Sequence, residues 1–314
     1  MIAGVSSILT IFIIVAVGYF FTREGFFDEN AGSLFTKIIV NISLPPMIIY
    51  SLSTNFSKKE LMSSFIYMAI PLACILLCAL IGWGAARMVG VLPNRRGLFI
   101  TMFFASNTIF IGLPVNLALF GEKSVPHLLL FYAVNTTIFW TFGIWLIHKD
   151  AGLKGSVFTP ENLKKLILNP PFLALVLGFA IVLLQLVLPQ FLMNAMKYTG
   201  GLTIPLSLLF IGITFRYIRF KDIPFDKEML VLMAGRFILS PLIVLVLGFI
   251  FHLSPLMLKV FVIQSGMPII TQSAISASSC GADYKYATSM VTVSNALSLL
   301  FIPLYMFCFT LLGL

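Results

Sequence analysis

Apolar stretches recur from one end of this chain to the other, and each is about 20 residues long, enough for a helix to cross a hydrocarbon core of roughly 30 Å. Only short polar breaks separate them. Of the 314 residues, 60% are hydrophobic and 10% are charged, which is far from the composition of a soluble domain. The sequence therefore predicts an all-α polytopic membrane protein.

Charged residues and Pro/Gly breaks divide the chain into ten predicted spans. These are residues 3–22, 34–53, 63–87, 97–120, 127–148, 171–189, 195–215, 229–251, 256–280 and 286–312. The amino terminus lacks the basic start of a signal peptide, so we interpret residues 3–22 as a retained first helix. The longest polar interval leaves five spans on either side, which predicts a first five-helix repeat at 1–148, a cytoplasmic linker at 149–168 and a second five-helix repeat at 169–314.

Comparing the two halves at an offset of 160 residues supports internal repetition, because several marker residues coincide. The coinciding pairs are Lys37 with Lys197, Pro45 with Pro205, Gly121 with Gly281 and Asn135 with Asn295. Spans three and eight match better at an offset of 170, which pairs Pro71 with Pro241. Because a repeat with an odd number of spans inserts its second copy upside down, we predict two inverted repeats, a plan common in alternating-access transporters.

Basic residues predict the orientation. With the amino terminus outside, thirteen Lys and Arg fall in loops facing the cytoplasm and five in the opposite loops. This asymmetry favours an orientation in which both termini are extracytoplasmic. We expect the protein in the inner or plasma membrane. The net charge of +9 comes from these short loops and not from a dense basic patch with exposed aromatics. We therefore expect the lipid bilayer, and no nucleic acid, as a partner.

Spans four and nine, FFASNTIFIGLPVNLALFG and VIQSGMPIITQSAISASSCG, are unusually polar and rich in Gly and Pro. This pattern predicts two broken helices, which a membrane tolerates only beside protein or a water-filled cavity. Half-helix amino termini carry partial positive charge, so such a cavity could hold a carboxylate, with the Asn107 and Gln264 amides as further donors. Small residues that merely allow close helix packing are the alternative.

The candidate substrate-binding residues lie around these breaks and in the spans that accompany them. They are Ser106, Asn107, Thr108, Asn135, Gln264, Gly266, Pro268, Gln272 and Asn295, with Pro45, Pro46 and Pro205 forming the adjacent wall. Proline removes a backbone donor and kinks a membrane helix, although such kinks are often purely architectural.

All eleven acidic residues lie in or beside loops. Proton- and sodium-driven carriers often use an intramembrane carboxylate, so this distribution favours a transporter driven by the anion gradient and the membrane potential. Arg236 lies about two helical turns inside span eight, where snorkelling to the interface and attraction of an anion are both open. The three histidines fall at span ends, and the four cysteines are interpreted as packing residues, so we predict no metal and no cofactor.

The sequence resembles the auxin efflux carrier family along nearly its whole length. The resemblance rests on NISLPP at 41–46, SNTIFIGLPV at 106–115, the pair Asn169 and Pro170, and GMPII at 266–270. It implies ten helices, with spans four and nine crossing in mid-membrane, and a scaffold beside a mobile transport unit. Bacterial members include malate and malonate carriers.

Plant members of that family carry a Pro-Asn pair at the crossing of span four, and the Asn approaches the substrate carboxylate. Ser106 and Asn107 occupy these positions here, so the proline is missing, whereas Pro268 supplies the corresponding proline of span nine. An aromatic residue of span five near the plant site corresponds to Trp140.

These observations predict a secondary transporter of small carboxylate anions such as malate or malonate, and not an enzyme, since no Ser/Lys pair, paired aspartates or HExxH helix lies within the spans. A sodium-coupled symporter of the bile-acid type, which can bind sodium through amide and carbonyl oxygens, is the alternative within transport. A receptor that binds without flux is the alternative from another class. The sequence leaves both a monomer and a homodimer open.

Overall fold

The computed structural model describes residues 2–153, 160–217 and 225–314, with the side chains of these residues except 2–8, 29 and 161. The α-helices are α1 Ile2–Arg23, α2 Glu29–Ile38, α3 Leu44–Asn55, α4 Lys58–Ser64, α5 Ala69–Met88, α6 Arg96–Phe104, α7 Gly112–Phe120, α8 Val125–Ile138, α9 Ile144–Asp150, α10 Pro160–Ile167, α11 Pro170–Leu183, α12 Gln190–Gly200, α13 Thr203–Arg216, α14 Lys227–Ala234, α15 Ser240–Ile250, α16 Pro255–Ser265, α17 Gln272–Cys280 and α18 Tyr284–Leu311. No strand occurs within the described ranges.

Six continuous helical segments of the described residues are long and apolar enough to cross a membrane. They are Asn30–Asn55, Lys58–Met88, Glu122–Asp150, Gln190–Arg216, Lys227–Ile250 and Tyr284–Leu311. The prediction of an all-α membrane protein is confirmed, while ten spans in two inverted repeats stay a prediction. Of the predicted linker, residues 154–159 lie outside the described residues, and Pro160–Ile167 forms α10.

Helix boundaries follow from side-chain caps that can be located in the sequence. Asn169 accepts a hydrogen bond from the Phe172 N–H (3.2 Å) and is followed by Pro170 at the first helical position, where no intrahelical donor is needed. This explains the Asn-Pro pair at the start of α11. Asp28 caps α2 in the same way, and the hydrogen bonds it accepts from the Ala31 N–H and the Asn30 side chain hold the pKa of its carboxyl below the ordinary value.

Prolines also explain two of the π-helical turns that interrupt the long helices. The turns Ile39–Ser43 and Gly235–Leu239 come just before Pro45 and Pro241. A proline lacks the N–H that would bond the carbonyl four residues earlier, which for Pro241 is the Phe237 carbonyl. The Tyr305 hydroxyl donates to that oxygen at 2.7 Å and replaces the missing backbone bond.

The chain divides into two compact units, each taking segments from both sequence halves. Unit 1 comprises residues 1–67, 109–130 and 167–218, and unit 2 comprises residues 68–108, 131–166 and 219–314. The units are thus a different division of the chain from the predicted repeats, which stay a prediction.

Unit 1 is assembled through close helix contacts at glycines. A Cβ added to Gly18 of α1 would overlap the Leu209 carbonyl of α13, and one added to Gly212 would overlap the Val15 carbonyl and lie 2.7 Å from the Tyr19 nitrogen. Two backbones can approach so closely only where side chains are absent. Small residues therefore fix the α1–α13 pair.

Unit 2 has an apolar core centred on α6, α16 and the helices beside them. Phe99, Phe103, Phe131 and Phe261 are fully buried there, and the rings of Phe131 and Phe261 lie 5.8 Å apart edge to face. Large aromatic rings bury more apolar surface per residue than other side chains, so these four contribute strongly to the core.

An ion cluster ties together the ends of three helices in unit 2. Arg95 lies 2.7 Å from the Glu228 carboxylate, 3.7 Å from Asp283, and over the Tyr286 ring at 4.6 Å. Burial lowers the pKa of Arg95, but its hydrogen bond to Glu228 and the nearby negative charges outweigh this effect and raise the pKa overall. The guanidinium thus stays charged and stabilises the amino-terminal ends of α14 and α18.

Candidate functional site

Two helix breaks in unit 2 pair with each other through their backbones. After α6 the chain leaves the helix at residues 105–108, beginning with an extended Ala105, and a second non-helical segment, residues 266–271, separates α16 from α17. The Asn107 N–H donates to the Pro268 carbonyl (2.8 Å), and the Ile270 N–H donates to the Ala105 carbonyl (3.2 Å). Ser106 and Ile269 thereby form an antiparallel bridge. We call residues 105–108 and 266–271 the paired break.

The second segment of the paired break, residues 266–271, follows directly from its sequence. Pro268 has no N–H and disfavours helical geometry in the residue before it. Gly266 ends α16 where the backbone passes close to α18, since a Cβ there would lie 2.7 Å from the Tyr305 ring. The Ile269 N–H, which no longer bonds within a helix, donates to the Ser294 hydroxyl at 3.1 Å.

The first segment of the paired break, residues 105–108, lacks such a proline and is held by a side chain instead. Asn135 accepts from the Ser106 N–H (3.1 Å) and donates to the Ser106 carbonyl (2.9 Å), so its amide satisfies both backbone groups of one residue. Asn135 is fully buried. It was predicted as a substrate ligand, and the structure places it as the residue that positions the break.

Asn107 lies where its side chain can meet the start of α17. Its amide nitrogen donates to the Thr271 hydroxyl at 3.2 Å, and Thr271 is the residue immediately before α17. Thr271 was not among the predicted residues, because a single Thr in a run of polar residues carries no distinguishing signal. Asn107 and Thr271 thus present an amide and a hydroxyl group beside the amino terminus of α17, which carries partial positive charge.

Arg236 is buried with none of its surface exposed, so the interpretation that it snorkels to the interface is wrong. Its guanidinium donates to the Phe103 carbonyl (3.0 Å), to the Ser265 carbonyl and to the Ser240 hydroxyl (3.1 Å). Phe103 and Ser265 belong to the last turns of α6 and α16. Their carbonyls have lost their helical donors, because the Asn107 and Ile269 N–H groups bond elsewhere.

One cation therefore satisfies a freed carbonyl from each broken helix. It also lies at the negative ends of two helix dipoles, which attract a cation. The described acidic side chains lie at helix ends, as in the cases of Asp150, Asp226 and Asp283, and none of them bonds Arg236.

Two further predicted residues, Gln264 and Asn295, and the neighbouring Ser273 have buried polar atoms in unit 2. Gln264 is fully buried, and neither atom of its amide has a hydrogen-bond partner among the described residues. The Asn295 side-chain oxygen and the Ser273 hydroxyl are likewise buried without a partner in the described part of the chain. Unpaired amides of this kind are costly, and they are the groups that a polar ligand or water would satisfy.

The remaining predicted residues differ in exposure and in unit. Thr108 and Pro268 are buried in unit 2, while Gln272 and Trp140 are half-buried there, Trp140 within the π-helical turn Phe139–Gly143. Pro45 and Pro46 are half-buried and Pro205 is exposed, all three in unit 1. Among the described residues there is no group of three or more side chains suited to hold a metal ion.

Comparison with known proteins gives one family and relatives of matching length. The family described as "Membrane transport protein" matches residues 3–306. An uncharacterized transporter of Methanocaldococcus jannaschii is 24% identical over 95% of this chain and 96% of its own length. One from Methanothermobacter thermautotrophicus is also 24% identical over 95% of this chain and 96% of its own length. The uncharacterized transporter YfdV of Escherichia coli K12 is 22% identical over 92% of each chain.

Proposed function

Because this chain belongs to the membrane transport protein family, the auxin efflux carriers, we propose that it is a secondary transporter that carries small carboxylate anions by alternating access. The paired break is the observation that carries this proposal. It opens two helices at one place and brings the Asn107 amide and the Thr271 hydroxyl together there.

An anion is the ligand that this arrangement favours. Among the described residues no acidic side chain bonds Arg236, and α17 begins beside Asn107 and Thr271, with the partial positive charge of a helix amino terminus. A carboxylate would accept hydrogen bonds from the Asn107 amide and the Thr271 hydroxyl, beside the positive end of α17. A dicarboxylate such as malate or malonate is the proposed substrate, with the unpaired Gln264 amide available to the second group.

Alternating access requires a fold with two related halves, and helix boundaries support this part of the proposal. Shifted by 160 residues, α7 (Gly112–Phe120) falls on α17 (Gln272–Cys280). Each of these helices is followed by a glycine with positive φ, 71° at Gly121 and 80° at Gly281. Ser43 and Thr203, also 160 residues apart, hydrogen-bond to each other at 2.9 Å where their spans are interrupted. Inverted repeats account for these coincidences together.

The test is uptake of labelled malate and malonate into proteoliposomes under an imposed voltage. Uptake of the anion moves negative charge into the proteoliposome. An inside-positive potential should therefore accelerate uptake, and an inside-negative potential should slow it. Asn107→Ala should weaken substrate binding by roughly 10- to 100-fold, the effect of losing a hydrogen bond to a charged group. Asn194→Ala, the same change at an exposed position of α12, should leave uptake unchanged.

Uptake that ignores both the voltage and Asn107→Ala would count against the proposal. Replacing sodium by choline in the same assay separates the sodium-coupled alternative, because a symporter would stop and a potential-driven carrier would continue.

A further inference from the structure

A cavity of about 730 Å³ lies in unit 2, away from the paired break. It is formed by α5, by the turn that leads into α6, and by the end of the span that contains α9. The transport proposal gives this cavity no role. Its lining nevertheless combines cationic, aromatic and aliphatic side chains in an ordered way.

The cationic side chains gather at one end of the cavity. Arg87, Arg96 and Lys149 line it, and Asp150 is the acidic residue among the lining. The Asp150 carboxylate already accepts from the Gly97 N–H (3.0 Å) and the Leu98 N–H (2.7 Å), so it caps the start of α6. Three cations against one carboxylate leave this end with a net positive charge that suits an anionic group.

Two of the three cations rest on tryptophan rings. The Arg87 guanidinium lies 3.7 Å from the centroid of Trp83, and the Lys149 ammonium lies 5.4 Å from that of Trp145. Tryptophan is enriched where the hydrocarbon of a membrane meets its polar headgroups. The two pairs therefore mark the headgroup level of the bilayer.

An apolar stripe runs from the cations along α5. Leu76, Leu80 and Trp83 share one helix face with Arg87 at intervals of three and four residues, and Leu76 and Leu80 are 52% and 64% exposed. In a membrane-spanning helix such a stripe faces acyl chains. The cavity thus has a charged head end continuous with an apolar wall.

We propose that this cavity binds one anionic phospholipid, with its phosphate against Arg87, Arg96 and Lys149 and an acyl chain along Leu76 and Leu80. A soluble phosphate compound would use the cations and leave the stripe unused, whereas a lipid uses both. Basic pockets between membrane helices are a known setting for anionic headgroups. The loops after spans three and five, which supply the cations, are also assigned to the same membrane side by the charge count.

Tryptophan fluorescence tests the proposal directly. The chain has three tryptophans, so Trp140→Phe leaves Trp83 and Trp145 as reporters beside the cavity. This variant is placed in phosphatidylcholine bilayers that contain increasing mole fractions of brominated phosphatidylglycerol, and in a second series with the same mole fractions of brominated phosphatidylcholine. Bromine quenches only at short range, so we expect brominated phosphatidylglycerol to quench at several-fold lower mole fraction.

Charge removal then locates the binding. Arg87→Gln with Lys149→Gln should weaken the phosphatidylglycerol preference by about fivefold for each charge removed. Lys149→Gln alone removes one charge, so it should weaken the phosphatidylglycerol preference by about fivefold. Lys123→Gln, the loss of a cation assigned to the opposite side, should leave the preference intact.

Equal quenching by both brominated lipids would overturn the proposal, and so would a preference that survives the double substitution. Soluble glycerol 3-phosphate provides a further arm. If millimolar glycerol 3-phosphate displaces the brominated lipid, the cavity recognises a free phosphate compound and the assignment to a lipid is wrong.

Discussion

Two buried side chains, Asn135 and Arg236, act on backbone groups that the helix breaks set free. Asn135 bonds the N–H and the carbonyl of Ser106, and Arg236 bonds the carbonyls of Phe103 and Ser265. Apart from the Ser106 and Ser240 hydroxyls, their partners are main-chain atoms, so no pattern of side chains in the sequence predicts them. The sequence therefore predicted Asn135 only as a ligand, which stays a prediction, and left snorkelling and anion attraction both open for Arg236.

Removal of the Asn135 amide should destabilise the protein more than removal of the Asn295 amide, which the predicted repeat pairs with it. Asn135→Ala leaves two buried backbone groups of Ser106 unpaired, at a cost of about 2 kcal/mol or more. Asn295→Ala removes an amide whose oxygen has no partner among the described residues, and should cost less. Apparent melting temperatures of the two purified variants in one detergent test this order. An equal decrease in melting temperature for both variants would contradict the positioning role of Asn135.

Arg236→Met should lower both stability and transport. The change leaves the Phe103 and Ser265 carbonyls unsatisfied and removes the positive charge beside the paired break. Arg216→Met, at an exposed position at the end of α13, makes the same chemical change where little stability depends on it.

Arg236→Lys separates charge from geometry. Lysine keeps the charge but lacks the planar fork that reaches two carbonyls. We expect it to retain malate affinity better than Arg236→Met while folding less stably than the parent. An Arg236→Met variant with unaltered KM and melting temperature would contradict the assignment.

At the scale of helices, the sequence predicts where helices lie better than how they deviate from regularity. Predicted span 229–251 corresponds to helical residues Lys227–Ile250, because apolar length and flanking charges define both ends. The π-helical turn Phe139–Gly143 has no proline after it, and its position depends on tertiary packing that periodicity does not report. The polarity of spans four and nine predicted the paired break. No sequence pattern predicted the roles of Thr271, which bonds Asn107 across the break, or of Ser294, which bonds the Ile269 N–H.

The α1–α13 contact gives a prediction at this scale. Gly212→Ala should destabilise the protein by about 1–3 kcal/mol, because its Cβ would overlap the α1 backbone and force the two helices apart. Gly84→Ala, in α5, meets no atom within 4 Å and should be neutral or stabilising by up to about 1 kcal/mol. Melting temperatures measured side by side in one detergent test this, and an equally stable Gly212→Ala would show that the helices are not fixed by that contact.

At the scale of the whole molecule, each compact unit combines segments from both halves of the sequence. Hydrophobic length and the family motifs were enough to predict a helical membrane transporter. They could not predict the division into units, since that depends on which helices pack together. The number of spans and the orientation stay predictions that labelling can test.

Cysteine accessibility tests the predicted orientation. In a background without the four native cysteines, Lys59→Cys should react with a membrane-impermeant maleimide added outside intact cells, because its loop is assigned to the outer side. Lys227→Cys should react only after the membrane is opened. Both positions are exposed, so access to reagent differs only by side. The reverse pattern would place both termini in the cytoplasm.

The paired break also has a consequence for synthesis. The Asn107 N–H and the Ala105 carbonyl find their partners at Pro268 and Ile270, about 160 residues later in the chain. At translation speeds of roughly 5–20 residues per second, residues 266–271 are synthesised on the order of 10–30 seconds after residues 105–108. During that interval its open peptide groups need the insertion machinery, a water molecule or a chaperone as a substitute. Maturation of this protein is therefore a post-insertion event, completed only when its last spans have left the ribosome.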